Sequence, residues 1–179
     1  MDKLLEAARE YAKLINIDFI YTLENGIVLQ VYFIPSFFYH LIGLQKLVDI
    51  PLVQKGPRNN PGYIFRNILR GKITLTDIQK SRHFSEIESR VKHFSQINML
   101  VEFERIIVDF DSTLINSKMI NADYILFKKS NDNMHLNLFL KTDDNNKQVP
   151  LTFISDRTDY YTHRQKMIEI VSITKVVRS

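Results

Sequence analysis

The hydropathy pattern of this chain changes period near residue 104, and that change limits the fold more than any other feature. Before it, apolar residues recur at helical spacing: Leu4, Leu5, Ala8, Tyr11, Ala12 and Ile15 line one face of a predicted helix over residues 2–15. After it, residues 105–110, 123–129, 135–141 and 149–155 are short β-rich runs separated by polar turns, and 167–177 reads as a last strand. Helices first and an antiparallel meander afterwards specify an α+β domain, with a C-terminal sheet of at least four strands. One hairpin interrupts the helical part. Residues 19–23 and 27–33 flank Glu24-Asn25-Gly26, where Asn-Gly supplies the positive φ angles of a tight turn.

Punctuation residues place the remaining elements. Pro35-Ser36 stops the second strand, and Ser36 is expected to cap a helix carrying Phe37-Phe38-Tyr39-His40-Leu41-Ile42-Gly43-Leu44. Residues 49–62 hold three prolines and two glycines and read as a loop. A helix over 63–69 ends at Gly71, and Thr74 caps another that starts at Leu75. Ser85-Glu86-Ile87-Glu88 matches a capping box and predicts a longer helix over 86–100. No repeat, low-complexity tract or linker divides the chain, so residues 1–179 read as one domain, long enough to bury a substantial core.

Composition removes whole classes of chemistry. Cysteine is absent, which rules out disulfides, thiolate metal sites and cysteine nucleophiles, and fits a reducing cytoplasm. No apolar run reaches the roughly 18–20 residues a membrane helix needs. The start, Met1-Asp2-Lys3-Leu4-Leu5-Glu6, is amphipathic and partly acidic, unlike a signal peptide, so a cytoplasmic protein without a membrane partner is expected. The net charge of +4 is uneven. Residues 54–93 carry nine Lys/Arg against three Asp/Glu, a surplus of +6, whereas 1–53 carry −2 and 94–179 balance at zero. Concentrated positive charge attracts phosphate backbones, although a solvated helix surface looks the same in sequence.

Two polar clusters stand out. His40 sits in an otherwise apolar helical run, so its imidazole must be paired or face a cleft. Asp156-Arg157-Thr158-Asp159-Tyr160-Tyr161-Thr162-His163-Arg164-Gln165 forms the second. His83, His93, His135 and His163 have no histidine or carboxylate at ligand spacing, so they are expected at the surface, with no metal site. Phe37, Phe38 and Phe65 read as core.

The stretch Arg105-Ile106-Ile107-Val108-Asp109-Phe110-Asp111-Ser112-Thr113-Leu114-Ile115 resembles the first motif of haloacid-dehalogenase-type phosphatases. That resemblance implies Asp109 as nucleophile, Asp111 as acid/base and a magnesium ion between them. That fold needs alternating strands and helices afterwards, but the 66 residues beyond Thr113 read as strands.

A wider resemblance spans about residues 36–170. Phe38-Tyr39-His40-Leu41-Ile42-Gly43-Leu44 is followed by Phe65-Arg66-Asn67-Ile68-Leu69-Arg70-Gly71-Lys72-Ile73-Thr74 and Asp77-Ile78. Ile115-Asn116-Ser117-Lys118-Met119-Ile120-Asn121-Ala122-Asp123-Tyr124 and Tyr160-Tyr161-Thr162-His163-Arg164-Gln165 come next. This order resembles a phage-associated branch of the Barnase–EndoU–colicin–RelE nuclease superfamily, which joins N-terminal helices to an antiparallel sheet. The resemblance implies RNA cleavage by the 2′-hydroxyl with no metal or other cofactor, often by a toxin of a mobile element with a cognate antitoxin or immunity protein. The chemistry needs a base, phosphate-stabilising cations and an acid. His40, Ser117, Tyr161 and Thr162 are the expected catalytic residues, and Arg66, Arg70, Lys118 and Gln165 the expected substrate-binding ones. The alternative is an inactive fold that blocks a host defence protein or ribonucleoprotein, as an anti-CRISPR does.

Overall fold

Helices gather in one unit of the chain and strands in another. The structure, a computed structural model, describes residues 2–56, 59–115 and 120–178. The helical unit takes residues 1–15 and 34–98, and the strand unit residues 16–33 and 99–179.

The helical unit is built on caps and one aromatic cluster. Helix α1 (Lys3–Ala12) starts at Asp2, whose Oδ1 accepts from the amides of Leu4 and Leu5. Its other oxygen accepts from the Leu75 amide at 2.9 Å, so one carboxylate serves two helix starts. Short helix α2 (Phe37–Leu41) follows, then α3 (Pro61–Leu69), capped by Asn60 with proline at its first position. Thr74 caps α4 (Leu75–Ile78) as the sequence predicts, and Asp77 makes the cap a reciprocal box. The rings of Tyr11, Phe38, Phe65 and Phe94 pack together, with Phe38–Phe65 centroids 5.0 Å apart and Phe38–Phe94 5.4 Å.

Three expectations fail here. Ser36 is itself helical and makes no side-chain capping bond. The long helix over 86–100 is broken into a 3₁₀ turn at Phe84–Glu86, α5 (Glu88–His93), a 3₁₀ turn at Phe94–Gln96 and α6 (Ile97–Phe103). The expected capping box of Ser85 with Glu88 does not form: α5 starts after Ile87, which makes no side-chain capping bond, and between them the Glu86 carboxylate pairs with His83 at 3.0 Å and faces Lys46 at 3.4 Å. The second break sets the Phe94 ring into the aromatic cluster, where it is fully buried. His93, expected at the surface, is buried, with Nδ1 2.8 Å from the Ser89 carbonyl.

Among the described residues the strand unit holds seven strands: β1 (Ile17–Leu23), β2 (Val28–Tyr32), β3 (Ile106–Asp109), β4 (Tyr124–Lys129), β5 (His135–Thr142), β6 (Gln148–Asp156) and β7 (Lys166–Val177). Their order is β1-β2-β6-β5-β4-β3-β7, and β7 returns to β1 to close a barrel. Every pairing is antiparallel except the contact of β2 with β6 at Val31 and Gln148. The 12-residue β7 makes closure possible: its first part pairs with β3 and the rest with β1. The early hairpin thus belongs to the same sheet as the late strands. Its loop has three residues, with Gly26 alone at positive φ (85°), so Asn25 does not take the two-residue turn geometry expected of it.

Burial on β5 is continuous from Leu136 to Leu140. One reason is a second apolar cluster of Val108, Phe110, Ile115, Ala122, Ile125 and Phe139. The chain end is clasped. Arg178 Nε lies 3.1 Å from the buried Asp18 carboxylate, and Nη2 donates to the Phe33 carbonyl at 2.6 Å. Among the described residues no helix is long and apolar enough to cross a membrane.

Candidate functional site

The five residues of α2 bury Phe38, Tyr39 and Leu41 and leave His40 exposed. The imidazole is therefore what this helix shows to solvent, and it does not point into an apolar core. Gly43 ends the segment at φ 90°, where a Cβ would come within 2.7 Å of Ile87. His40 Nε2 lies 2.9 Å from Lys55 Nζ. An ammonium has no lone pair, so it donates and the imidazole nitrogen accepts, which fixes a neutral ring with its proton on Nδ1. The same lysine lies over the Tyr39 ring, 5.0 Å from its centroid. Partial enclosure, and then the Lys55 charge, hold the His40 pKa below the ordinary 6.5. The ring is therefore neutral at pH 7 and able to take a proton.

Lys55 is placed by its loop. Val53 is buried, the Asn59 amide donates to the carbonyls of Leu52 and Gln54, and Gly56 bridges Asn59. The sequence reading counted Lys55 in the basic stretch but did not single it out. Pro57 and Arg58 lie outside the described residues.

Arg66 and Arg70 lie one turn apart on α3 and are both exposed. The ring contact of Phe38 with Phe65 packs α3 against α2, which carries His40. In the basic stretch Lys80 and Arg82 face Asp77 and Asp49, and Lys46, ahead of it, faces Glu86. Lys55, Arg66, Arg70 and Lys72 have no carboxylate partner among the described residues. Their charge is available to an anion.

The second cluster is used differently. Tyr161 packs edge-on against Phe139 at 5.2 Å, at the margin of the second apolar cluster. Thr162 is buried, and both its amide and its hydroxyl donate to the Asp159 carbonyl. Gln165 is also buried; its oxygen accepts from the Asp111 amide at 2.8 Å and its nitrogen donates to the Asp111 carbonyl at 3.0 Å. These side chains hold the loop in place. Ser117 and Lys118 lie outside the described residues.

The phosphatase geometry is not formed. β3, which ends at Asp109, runs antiparallel to both neighbours, not in a parallel doubly wound sheet. Asp109 faces Lys166 at 3.7 Å, and Asp111 accepts from the amide and hydroxyl of Thr113, which holds its pKa down.

No curated protein and no solved structure matches the chain. A family model does, over residues 3–177: the phage-Barnase-EndoU-ColicinE5/D-RelE like nuclease4 family, PBECR4. It runs through both units and agrees with the α+β architecture and its mostly antiparallel sheet. A match over nearly the whole length means that the chain belongs to this phage-type nuclease family.

Proposed function

We propose that this nuclease is a metal-independent endoribonuclease, a toxin of a phage or mobile element acting in the cytoplasm as one domain. The observation that carries the reading is the exposed, neutral His40 beside Lys55, on a helix packed against the one bearing Arg66 and Arg70.

RNA brings its own nucleophile, so the protein needs a base and positive charge. His40 Nε2 takes the proton of the 2′-hydroxyl. At rest the Lys55 ammonium occupies that lone pair. A bound phosphate draws Lys55 onto its oxygens, which frees Nε2 and offsets the charge that builds up on phosphorus. Arg66 and Arg70 hold the strand through its phosphates. The 2′-oxygen bonds to phosphorus, the bond from phosphorus to the 5′-oxygen breaks, that oxygen takes a proton from water, and a 2′,3′-cyclic phosphate remains. In the second cluster, Tyr161, Thr162 and Gln165 keep the loop in shape. Outside the described residues, Ser117 keeps its proposed catalytic role and Lys118 its proposed contact with substrate.

The test is tightly controlled expression of the native chain beside His40→Ala. A toxic ribonuclease arrests growth and fragments RNA, and His40→Ala does neither. An inhibitor that blocks a host defence protein or ribonucleoprotein leaves RNA intact and tolerates the substitution. That outcome would replace the enzyme reading.

A further inference from the structure

A groove of about 420 Å³ opens on the strand unit, between Leu114-Ile115 on one side and Thr158, Asp159, Tyr160 and His163 on the other. We propose that it is a nucleobase subsite, which seats one unpaired base of the nucleic-acid strand against Tyr160. The assignment of a nucleic-acid ligand rests on the nuclease reading above.

The groove is built rather than incidental. Its two walls come from segments more than forty residues apart, and Gln165 ties them together through its paired bonds to the Asp111 backbone. Tyr160 keeps 42% of its surface exposed. It is braced edge-on by Tyr161 at 5.1 Å, and Tyr161 by Phe139 at 5.2 Å. A chain of rings therefore runs from the apolar cluster to the surface and fixes the outermost one before any ligand arrives. Rigid exposed aromatic rings are what bases stack on.

The edge chemistry fits a base as well. The Asp159 carboxylate offers two acceptors to ring and amino N–H groups. His163 Nδ1 lies 3.5 Å from Asp159 Oδ2, and its Nε2 remains for the ligand. Leu114 supplies an apolar contact, half exposed at 51%. Arg164, next to His163, is held at φ 61°, a conformation that L-residues with side chains rarely adopt. The volume lies within the roughly 300–1,000 Å³ of small-ligand pockets. A bare phosphate would instead meet the negative charge of Asp159.

The experiment is an NMR titration of the whole protein with the four nucleoside monophosphates, and with inorganic phosphate alone. The proposal expects shifts at Thr158, Tyr160 and His163 with at least one nucleotide and none there with phosphate. Tyr160→Ala should weaken that binding roughly five- to a hundredfold, since stacking is worth about 1–3 kcal/mol per base and about 1.4 kcal/mol is tenfold. Tyr160→Phe should retain it, which separates lost stacking from lost folding. Phosphate binding there as tightly as nucleotides, or unchanged affinity in Tyr160→Ala, would overturn the subsite. An RNA cleavage assay on the same samples separates the two readings. Nucleotide binding in the groove without cleavage keeps the subsite and removes the ribonuclease; cleavage with an empty groove does the reverse.

Discussion

The helical unit and the strand unit each carry a cluster of polar candidate residues, and they use it in opposite ways. On α2, α3 and the loop between them, His40, Lys55, Arg66 and Arg70 are exposed, and none has a carboxylate partner among the described residues. In the loop that precedes β7, Thr162 and Gln165 are buried and spend their hydrogen bonds on backbone groups. A polar side chain whose bonds go to backbone groups inside the fold holds that fold; an exposed cation with no carboxylate partner keeps its charge for a ligand. The contrast therefore sorts candidates that look equal in sequence.

Substitutions on the two sides should separate chemistry from stability. The largest effect expected is on His40→Ala. Loss of a positioned base should lower the RNA cleavage rate by about 10²–10⁴. The melting temperature should stay close to that of the native protein, because the side chain is exposed. A comparable fall in melting temperature would make His40 structural and erase the contrast.

Gln165→Ala should behave the other way. It leaves the amide and carbonyl of Asp111 without their partner, which costs about 1–3 kcal/mol in chemical denaturation. The cleavage rate per folded molecule should change far less than in His40→Ala. Arg178→Ala offers a control within the same unit. It removes the cation beside the buried Asp18 carboxylate, to which Gln30 still donates, and should cost about 2–3 kcal/mol, below the usual range for a buried pair because of that remaining bond and because the arginine side chain is 31% exposed.

A smaller effect is expected from Arg66→Ala/Arg70→Ala. With two phosphate contacts gone, RNA affinity should fall and the log–log salt slope should flatten by about 1.4, since each single-strand contact contributes about 0.7. An unchanged slope would return both arginines to the solvated surface.

The smallest is a shift in pH dependence. His40 must be neutral to act, and its pKa is held below 6.5, so activity should persist at pH 7 and fall as pH drops through that lower value. Lys55→Ala removes a neighbouring positive charge, so the acid limb should move to higher pH. The sign agrees with linkage. A histidine whose folded pKa is depressed contributes stability that is lost as pH falls from its unfolded value through the folded one.

Much of the fold was legible because it is local. Alternation marks the late strands, Gly26 marks the hairpin loop, and Thr74 marks a helix start. Barrel closure was not legible, since β1 and β7 pair across some 150 residues and nothing local encodes that partner. The break at Phe94 was hidden for a related reason: burial of its ring against Tyr11 and Phe38 overrides a helical pattern. In the candidate site, His40 stood out because a lone imidazole interrupts an apolar run. Lys55 did not, because a lysine in a loop rich in proline and glycine has no periodicity to betray it. Thr162 and Gln165 were read as ligand groups because sequence shows polarity but not whether the hydrogen bonds are already spent.

The central claim is that the spare residues of the helical unit cleave RNA through its own 2′-hydroxyl. The most direct measurement uses one RNA oligonucleotide, and a copy with 2′-deoxyribose at the cut site, incubated with the purified protein in chelator. The account predicts that the RNA is cut to 2′,3′-cyclic phosphate ends and the deoxy copy stays whole. Cleavage of the deoxy copy, or cleavage that appears only with added magnesium and leaves 5′-phosphate ends, would contradict it.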